Sequence, residues 1–297
     1  MKLVYCILTA AEALLCGSCM QSARGSEGQR ETSDTVKTYE YMSTVRLTVS
    51  ESKRLIAKGI SMNKEVRERL ENGMVIITLG TTNTYIAEEL AGLDAPRGSF
   101  VTGRIFPSSK EDFAKDMERR SEIVLLKGKP VDMSYEQALA KMHPEDIVFK
   151  GANMVNYAKR QAAVCVGAPD GGTVAKLRRY TDVGKGKWIV PVGLEKETSQ
   201  DLFEVQKITD GKTQRGRGTV RLSVTQGNIY TEIEAVKELA DVDVFVTAKG
   251  GVDGAEGGVS LLVCGKWDEV SKVENLVKQL AGEPPFVNSE KEINIEQ

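Results

Sequence analysis

This chain has a single histidine, His143. It precedes Pro144 in a polar stretch that reads as a surface loop, which argues against a histidine-based triad or a His-rich metal site. Charge of either sign is not in surplus. The 40 Lys and Arg against 42 Asp and Glu leave a formal net charge of -2 over 297 residues, and a dedicated nucleic-acid binder would show a basic excess. No apolar run reaches the roughly 18 residues of a spanning helix, which excludes a polytopic membrane protein. The five cysteines follow no disulfide or zinc spacing. Cys6, Cys16 and Cys19 crowd the start, and Cys165 and Cys264 sit in separate apolar runs, where they read as buried free thiols. The phosphate-binding pattern G-x-x-x-x-G-K-[ST] and the dinucleotide glycine fingerprint are both missing, so no cofactor is expected. Hydrophobic residues are 41% and charged residues 28%, a globular balance that excludes full-length disorder. The length suits about two domains, each with a core.

The first residues, MKLVYCILTAAEALLCGSCMQ, place Lys2 before a mostly apolar span, 3–15. That suits a signal segment and is too short to cross a membrane. Gly17 and Ser18 precede Cys19, as in a bacterial lipoprotein signal in which the cysteine is lipidated. Cys16 and Glu12 depart from that pattern. The reading is an exported, membrane-anchored lipoprotein with 1–19 as signal and 20–44 as a polar tether. Its rivals are a true start at Met42, which would leave the protein cytoplasmic, and a plain cleaved signal or buried helix.

From residue 45 strands and helices alternate. Thr48 and Glu51 form a capping-box pattern opening SESKRLIAKGISM, and a second helix, NKEVRERLENG, ends at Gly73. MVIITLG (74–80), SFVTGRIF (99–106), SEIVLL, DIVFKGAN (146–153), AAVCVGAPDGGT (162–173) and KWIVPVGLEK (187–196) read as strands running into turns or loops. TNTYIAEELAG, EDFAKDMERR and SYEQALAKM read as helices. This order predicts an α/β domain with a layered, mostly parallel sheet over 45–217. A boundary is expected near 217, after a Gly-rich basic loop that holds Lys212, Arg215 and Arg217. Beyond it the order β-α-β-β-α over 218–282 resembles most of a ferredoxin-like α+β unit, followed by a frayed tail, 283–297.

Ligands of open α/β sheets bind at the carboxyl ends of strands, and three such ends carry unusual loops. In the first, Gly80 permits a tight turn, while Thr81, Thr82, Asn83 and Thr84 offer polar groups beside the free N–H groups of a helix start, an anion site. The second, KGANMVN, supplies Lys150 to neutralise an anion, with Asn153 and Asn156 to bond hydroxyls. The third, GAPDGGT, combines Asp170 with Gly171, Gly172 and Thr173, and Lys176 follows. Each loop also has an ordinary use, as a helix cap or a turn. KGGVDGAEGG (249–258) is a further Gly-rich loop that would line a second site, close over the first or simply connect strands.

Taken together, GTTNTY, VFKGAN, GAPDGGT and VPVGLEK make residues 50–217 resemble the sugar-phosphate isomerase and coenzyme A-transferase-like superfamily, the ribose-5-phosphate isomerase-like fold. The resemblance implies that Gly80–Thr84 hold a substrate phosphate. It also implies a companion ferredoxin-like subdomain and a homo-oligomer. The acidic residues that transfer protons in the isomerases have Lys150, Asn153 and Asn156 in their approximate places, and an amide is no general base. Asp170 and Glu195 are the only acids in the candidate loops. Either could serve as a base, and Glu195 also as a thioester-forming carboxylate.

The favoured function is binding of a small phosphorylated or carboxylated metabolite, with no nucleic-acid partner. The alternatives are an isomerase or acyl-transferase using Asp170 or Glu195, and a surface lipoprotein that serves interaction only.

Overall fold

The computed structural model describes residues 37–103, 105, 117–211, 216 and 220–286. Cys19, most of the tether, the helix expected at EDFAKDMERR, the basic residues Lys212, Arg215 and Arg217 and the last residues of the tail lie largely outside these. The chain divides into two units, 1–38 and 39–297, and the fold below belongs to the second.

It is a mixed α/β fold with one six-stranded, mostly parallel sheet and two three-stranded antiparallel sheets. In chain order the elements are β1 (Tyr41–Leu47), α1 (Val49–Met62), α2 (Lys64–Asn72), β2 (Met74–Ile77), α3 (Thr81–Ala91), β3 (Ile123–Leu126), β4 (Lys129–Pro130) and α4 (Tyr135–Lys141). Then come β5 (Ile147–Phe149), β6 (Met154–Asn156), β7 (Gln161–Val166), α5 (Gly172–Thr181), β8 (Lys187–Pro191), α6 (Leu202–Asp210), β9 (Arg221–Gln226) and β10 (Ile229–Tyr230). The last are α7 (Glu232–Leu239), β11 (Val242–Lys249), β12 (Val259–Gly265) and α8 (Trp267–Leu280).

The large sheet has the order β10-β8-β5-β2-β3-β4. Its first four strands are parallel, with Val75 opposite Ile147, Phe149 opposite Ile189 and Ile229 opposite Val190. All four residues of β2 are buried, because a parallel sheet is covered on both faces. The two-residue period of the strand sorts them. Val75, Ile77, Ile147 and Phe149 join the core that holds α1, α3, α7 and the β1-β12-β11 sheet. Met74, Ile76, Val148 and Trp188 join the core under α4 and α5. Each such fully buried side chain contributes about 1.5–3 kcal/mol.

Several elements differ from the expectation. The polar tether ends sooner, since residues 41–47 form β1 and pair along their whole length with β12. Only Val45 and Leu47 of β1 are buried, on one face of the strand. Residues 97–100 form a short 3-10 turn rather than the start of a strand. The Ser99 hydroxyl donates to the Pro96 carbonyl at 2.7 Å, a local bond that competes with extended pairing. β7 lies outside the parallel sheet, in an antiparallel sheet of order β6-β7-β9. β9, from the expected C-terminal subdomain, thus pairs with β7, while β1 supplies the third strand beside β11 and β12.

Candidate functional site

The carboxyl ends of β2, β5, β8 and β10 share one edge of the large sheet, and two groups of polar residues gather there. The first lies at β2 and β5. Asn83 is fully buried, and its amide donates to the carbonyls of Thr78 at 2.8 Å and Phe149 at 3.0 Å, tying the two strand ends together. Its Oδ1 has no partner among the described residues. The Thr84 hydroxyl donates to the Gly80 carbonyl at 2.9 Å, and Thr82 is 3% exposed. Asn83 and Thr84 therefore build the turn with their side-chain donors. Gly80 has φ 167°, extended backbone open to any residue, and an added Cβ would meet nothing nearer than Asn83 at 3.8 Å. The start of α3 has no side-chain cap. The first-turn N–H groups of a helix have no intrahelical partner and carry its positive dipole end.

Lys150 follows β5, one residue from the carbonyl that Asn83 grips. Its backbone N–H donates to Ile189 at 3.2 Å, and its carbonyl accepts from the Trp188 indole at 2.9 Å. Its amine has no hydrogen bond or ion pair among the described residues. Burial lowers its pKa, against a weaker pull upward from Glu122. Tyr135, at the start of α4, also senses Glu122, though burial is the main reason its pKa is raised. Its hydroxyl donates to the Thr173 carbonyl at 3.2 Å, bringing the start of α5 to the same side.

The 167–173 loop leaves β7, not a strand of the parallel sheet. Asp170 is exposed, and its carboxylate accepts from the Gly172 N–H at 2.9 Å in a local turn. Gly171 and Gly172 have φ 85° and 56°, a left-handed pair that favours glycine. Lys176 pairs with Glu136 on the surface at 2.5 Å, and this partner raises its pKa. Asn153 is occupied within the β6–β7 hairpin, where Oδ1 accepts from the Cys165 N–H at 2.9 Å. Asn156 bonds the Gln200 carbonyl and the Lys159 N–H. Nothing brings Asp170 beside Glu195.

The second group lies at β8 and β10. After β8 the chain turns at Gly193 into a short 3-10 turn, Leu194–Lys196. The Glu195 side chain is 12% exposed, and Lys53 Nζ lies 3.9 Å from its Oε1. Both Glu195 carboxylate oxygens are buried and accept no hydrogen bond among the described residues. A Cβ on Gly193 would fall 1.8 Å from Glu195 Oε2, so glycine there leaves room for the carboxylate. Glu232, the first residue of α7, is fully buried and accepts the Leu194 N–H at 3.0 and 3.2 Å. Capping of α7 falls to Thr231 and Glu234, which frees Glu232 to point inward. Burial, then the neighbouring Glu195, pushes the Glu232 pKa up to about 7. Burial pulls Lys53 down to about 8, with Glu195 and Glu232 opposing that and Lys196 adding to it. One residue of the 249–258 loop lies beside this group. A Cβ on Gly257 would stand 3.0 Å from Val49 and 3.9 Å from the Glu195 Cβ, and Lys249 pairs with Glu197. The Lys196 amine reaches back to the Ala152 carbonyl at 3.1 Å, joining the two groups.

Lys53 and Glu232 were not among the sequence candidates, yet a signal exists. Lys53, Ile56, Ala57 and Ile60 fall on one helical stripe, as do Glu232, Ala235, Val236 and Leu239. A charged residue within an apolar stripe marks a buried charge. Among the described residues no cluster of side chains suits a metal ion, and no helix is long and apolar enough to cross a membrane. A pocket lined by Arg178, Phe203, Gln206, Lys207, Asp210 and Val224 shares no residue with either polar group. No family model, curated protein or solved structure was found to match this chain.

Proposed function

We propose that the protein binds a small phosphorylated or carboxylated metabolite at the carboxyl edge of the large sheet, on an isomerase/transferase-like α/β fold. The observation that carries this reading is Lys150, a cation without a partner among the described residues, one residue from the Phe149 carbonyl bound by Asn83 of the uncapped helix α3. An anion there would gain a charge-assisted bond and helix N–H donors together. Thr81, Thr173 and Lys176 belong to the rim of the same reading. The ferredoxin-like comparison enters it in altered form, with β1 in the place expected for β9. Lipidation at Cys19 would favour carboxylated ligands, because phosphorylated sugars are mainly internal metabolites.

The test is thermal melting with phosphate, glycerol 3-phosphate, ribose 5-phosphate and small carboxylates. Saturation at about a hundredfold over Kd should add about 2.7 kcal/mol to stability, and Lys150→Met should abolish the gain. A protein that no such anion stabilises, or a Lys150→Met variant stabilised equally, would overturn the reading. The Glu195 carboxylate, which faces Lys53 but accepts no hydrogen bond among the described residues, favours a second reading, an enzyme whose proton chemistry is done at the β8 end.

A further inference from the structure

The β8 end holds more than an anion site requires. Carboxylates repel an anion, so Glu195 and Glu232 beside Lys53 are arranged for moving protons rather than for holding negative charge. We propose that Lys53 is a nucleophilic amine that condenses with the carbonyl carbon of an aldehyde or ketone bearing a phosphate or carboxylate, with Glu195 carrying the protons. This rests on the preceding reading, in which Lys150 and the start of α3 take the anionic end of the ligand.

Three features support it. Lys53 is 7% exposed, its closest charged partner is Glu195 at 3.9 Å, and no hydrogen bond reaches its amine among the described residues. Burial so poor in solvating partners raises the share of the neutral amine, which is the nucleophile; with a pKa of about 8 that share is about a tenth at pH 7. Next, both oxygens of Glu195 lack donors and are free to exchange protons with a neighbour. Glu232 acts as a positioning residue. It fixes the 3-10 turn through the Leu194 N–H and so holds Glu195, the next residue, in place. Finally, the Lys53 and Glu195 side chains are 8% and 12% exposed, with Gly257 of the 249–258 loop beside Glu195, so the reacting groups are shielded from bulk water.

The step balances. The neutral Lys53 nitrogen attacks the carbonyl carbon, a C–N bond forms, and the π pair moves to oxygen. That oxygen takes the proton that the Lys53 ammonium, on becoming the neutral amine, had passed to the Glu195 carboxylate beside it. The attached nitrogen returns one proton to Glu195, the carbinolamine hydroxyl takes it, and the C–O bond breaks with loss of water. The products are a protonated imine, a Glu195 carboxylate and water, and no oxidant or reductant is consumed.

The experiment incubates the full chain with dihydroxyacetone phosphate or glyoxylate, reduces it with sodium borohydride, and locates adducts by intact mass and peptide mapping. One adduct is expected, on Lys53. It should be missing in Lys53→Arg, which keeps the charge, and form about a hundredfold more slowly in Glu195→Gln. Glycerol 3-phosphate, which has no carbonyl, should give none. If Lys53→Arg fails to fold, the peptide map of the parent protein still decides the site. An adduct on Lys150, or equal labelling of surface lysines, overturns the proposal. Stabilisation by glycerol 3-phosphate without any adduct from the two carbonyl probes overturns it and leaves the anion site standing. Neither stabilisation nor adduct overturns both.

Discussion

Glu232 shows how one residue can make stability depend on pH. Its folded pKa, about 7, stands above the ordinary 4.5, so folding favours its protonated form. The stability it contributes is complete below about pH 4.5 and is lost as pH rises through 7, by up to on the order of 3 kcal/mol. Lys53 works in the opposite sense. Its value, about 8, lies below the ordinary 10.5, so its contribution is present above 10.5 and is lost as pH falls through 8. It is therefore flat between pH 5 and 7, and that window belongs to Glu232. Glu232→Gln keeps an acceptor for the Leu194 N–H and removes the titration. The expected result is a melting temperature nearly constant from pH 5 to 7 and higher than the parent's at pH 8. Thermal denaturation at three pH values checks it, and a slope unchanged from the parent's would show that the carboxylate is not desolvated.

At the scale of the element, α1 organises the polar group at β8 and β10 and the charges on the facing side of α3. Ser52 favours the ionised form of Glu232, Lys53 faces Glu195, and Arg54 reaches Glu88, Glu89 and Glu283. The direction of the helix depends on its start, where the capping box expected from sequence is present. The Glu51 N–H donates to the Thr48 hydroxyl at 3.3 Å, and the Thr48 N–H donates to the Glu51 carboxylate at 2.8 Å. Thr48→Ala should cost about 1 kcal/mol, measured as a shift in urea midpoint with an unchanged slope. Caps are readable because they rest on residues three apart. α6 is the converse. Its N-cap, Asp201, bonds the N–H groups of Phe203 and Glu204, yet only Leu202 of the helix is buried, so it carries little periodic signal.

Across the whole molecule, residues distant in sequence are clamped by charge. Arg54 and Arg97 both stack on the Tyr85 ring, at 4.8 and 4.3 Å, and both bond Glu283. The two guanidiniums hold the Glu283 carboxyl below the usual carboxylate range, although burial opposes them. This fastens the residues after α8 to α1 and to the turn at Arg97. Glu283→Ala leaves two partly buried cations short of a partner and should destabilise by about 1–3 kcal/mol. Denaturant unfolding checks this. A loss within about 0.3 kcal/mol would mark the pair as a solvated surface contact.

The sequence alone determined the local features: the buried runs of β2, β5 and β8, the capped start of α1, and the polar loops at the strand ends. Each rests on a two- or four-residue period, or on a side chain bonding backbone two or three residues away. β1 and β10 were not legible, the one continuous with a polar stretch and the other two residues long. Only the tertiary structure decided which ends meet. Strand pairing joins residues far apart in the chain, and any apolar run can in principle pair with several others. That choice sent β7 to the antiparallel sheet and carried Asp170 out to an exposed turn. It also closed α1 against α7, which set Lys53 and Glu232 against Glu195, because only together could their apolar stripes leave water.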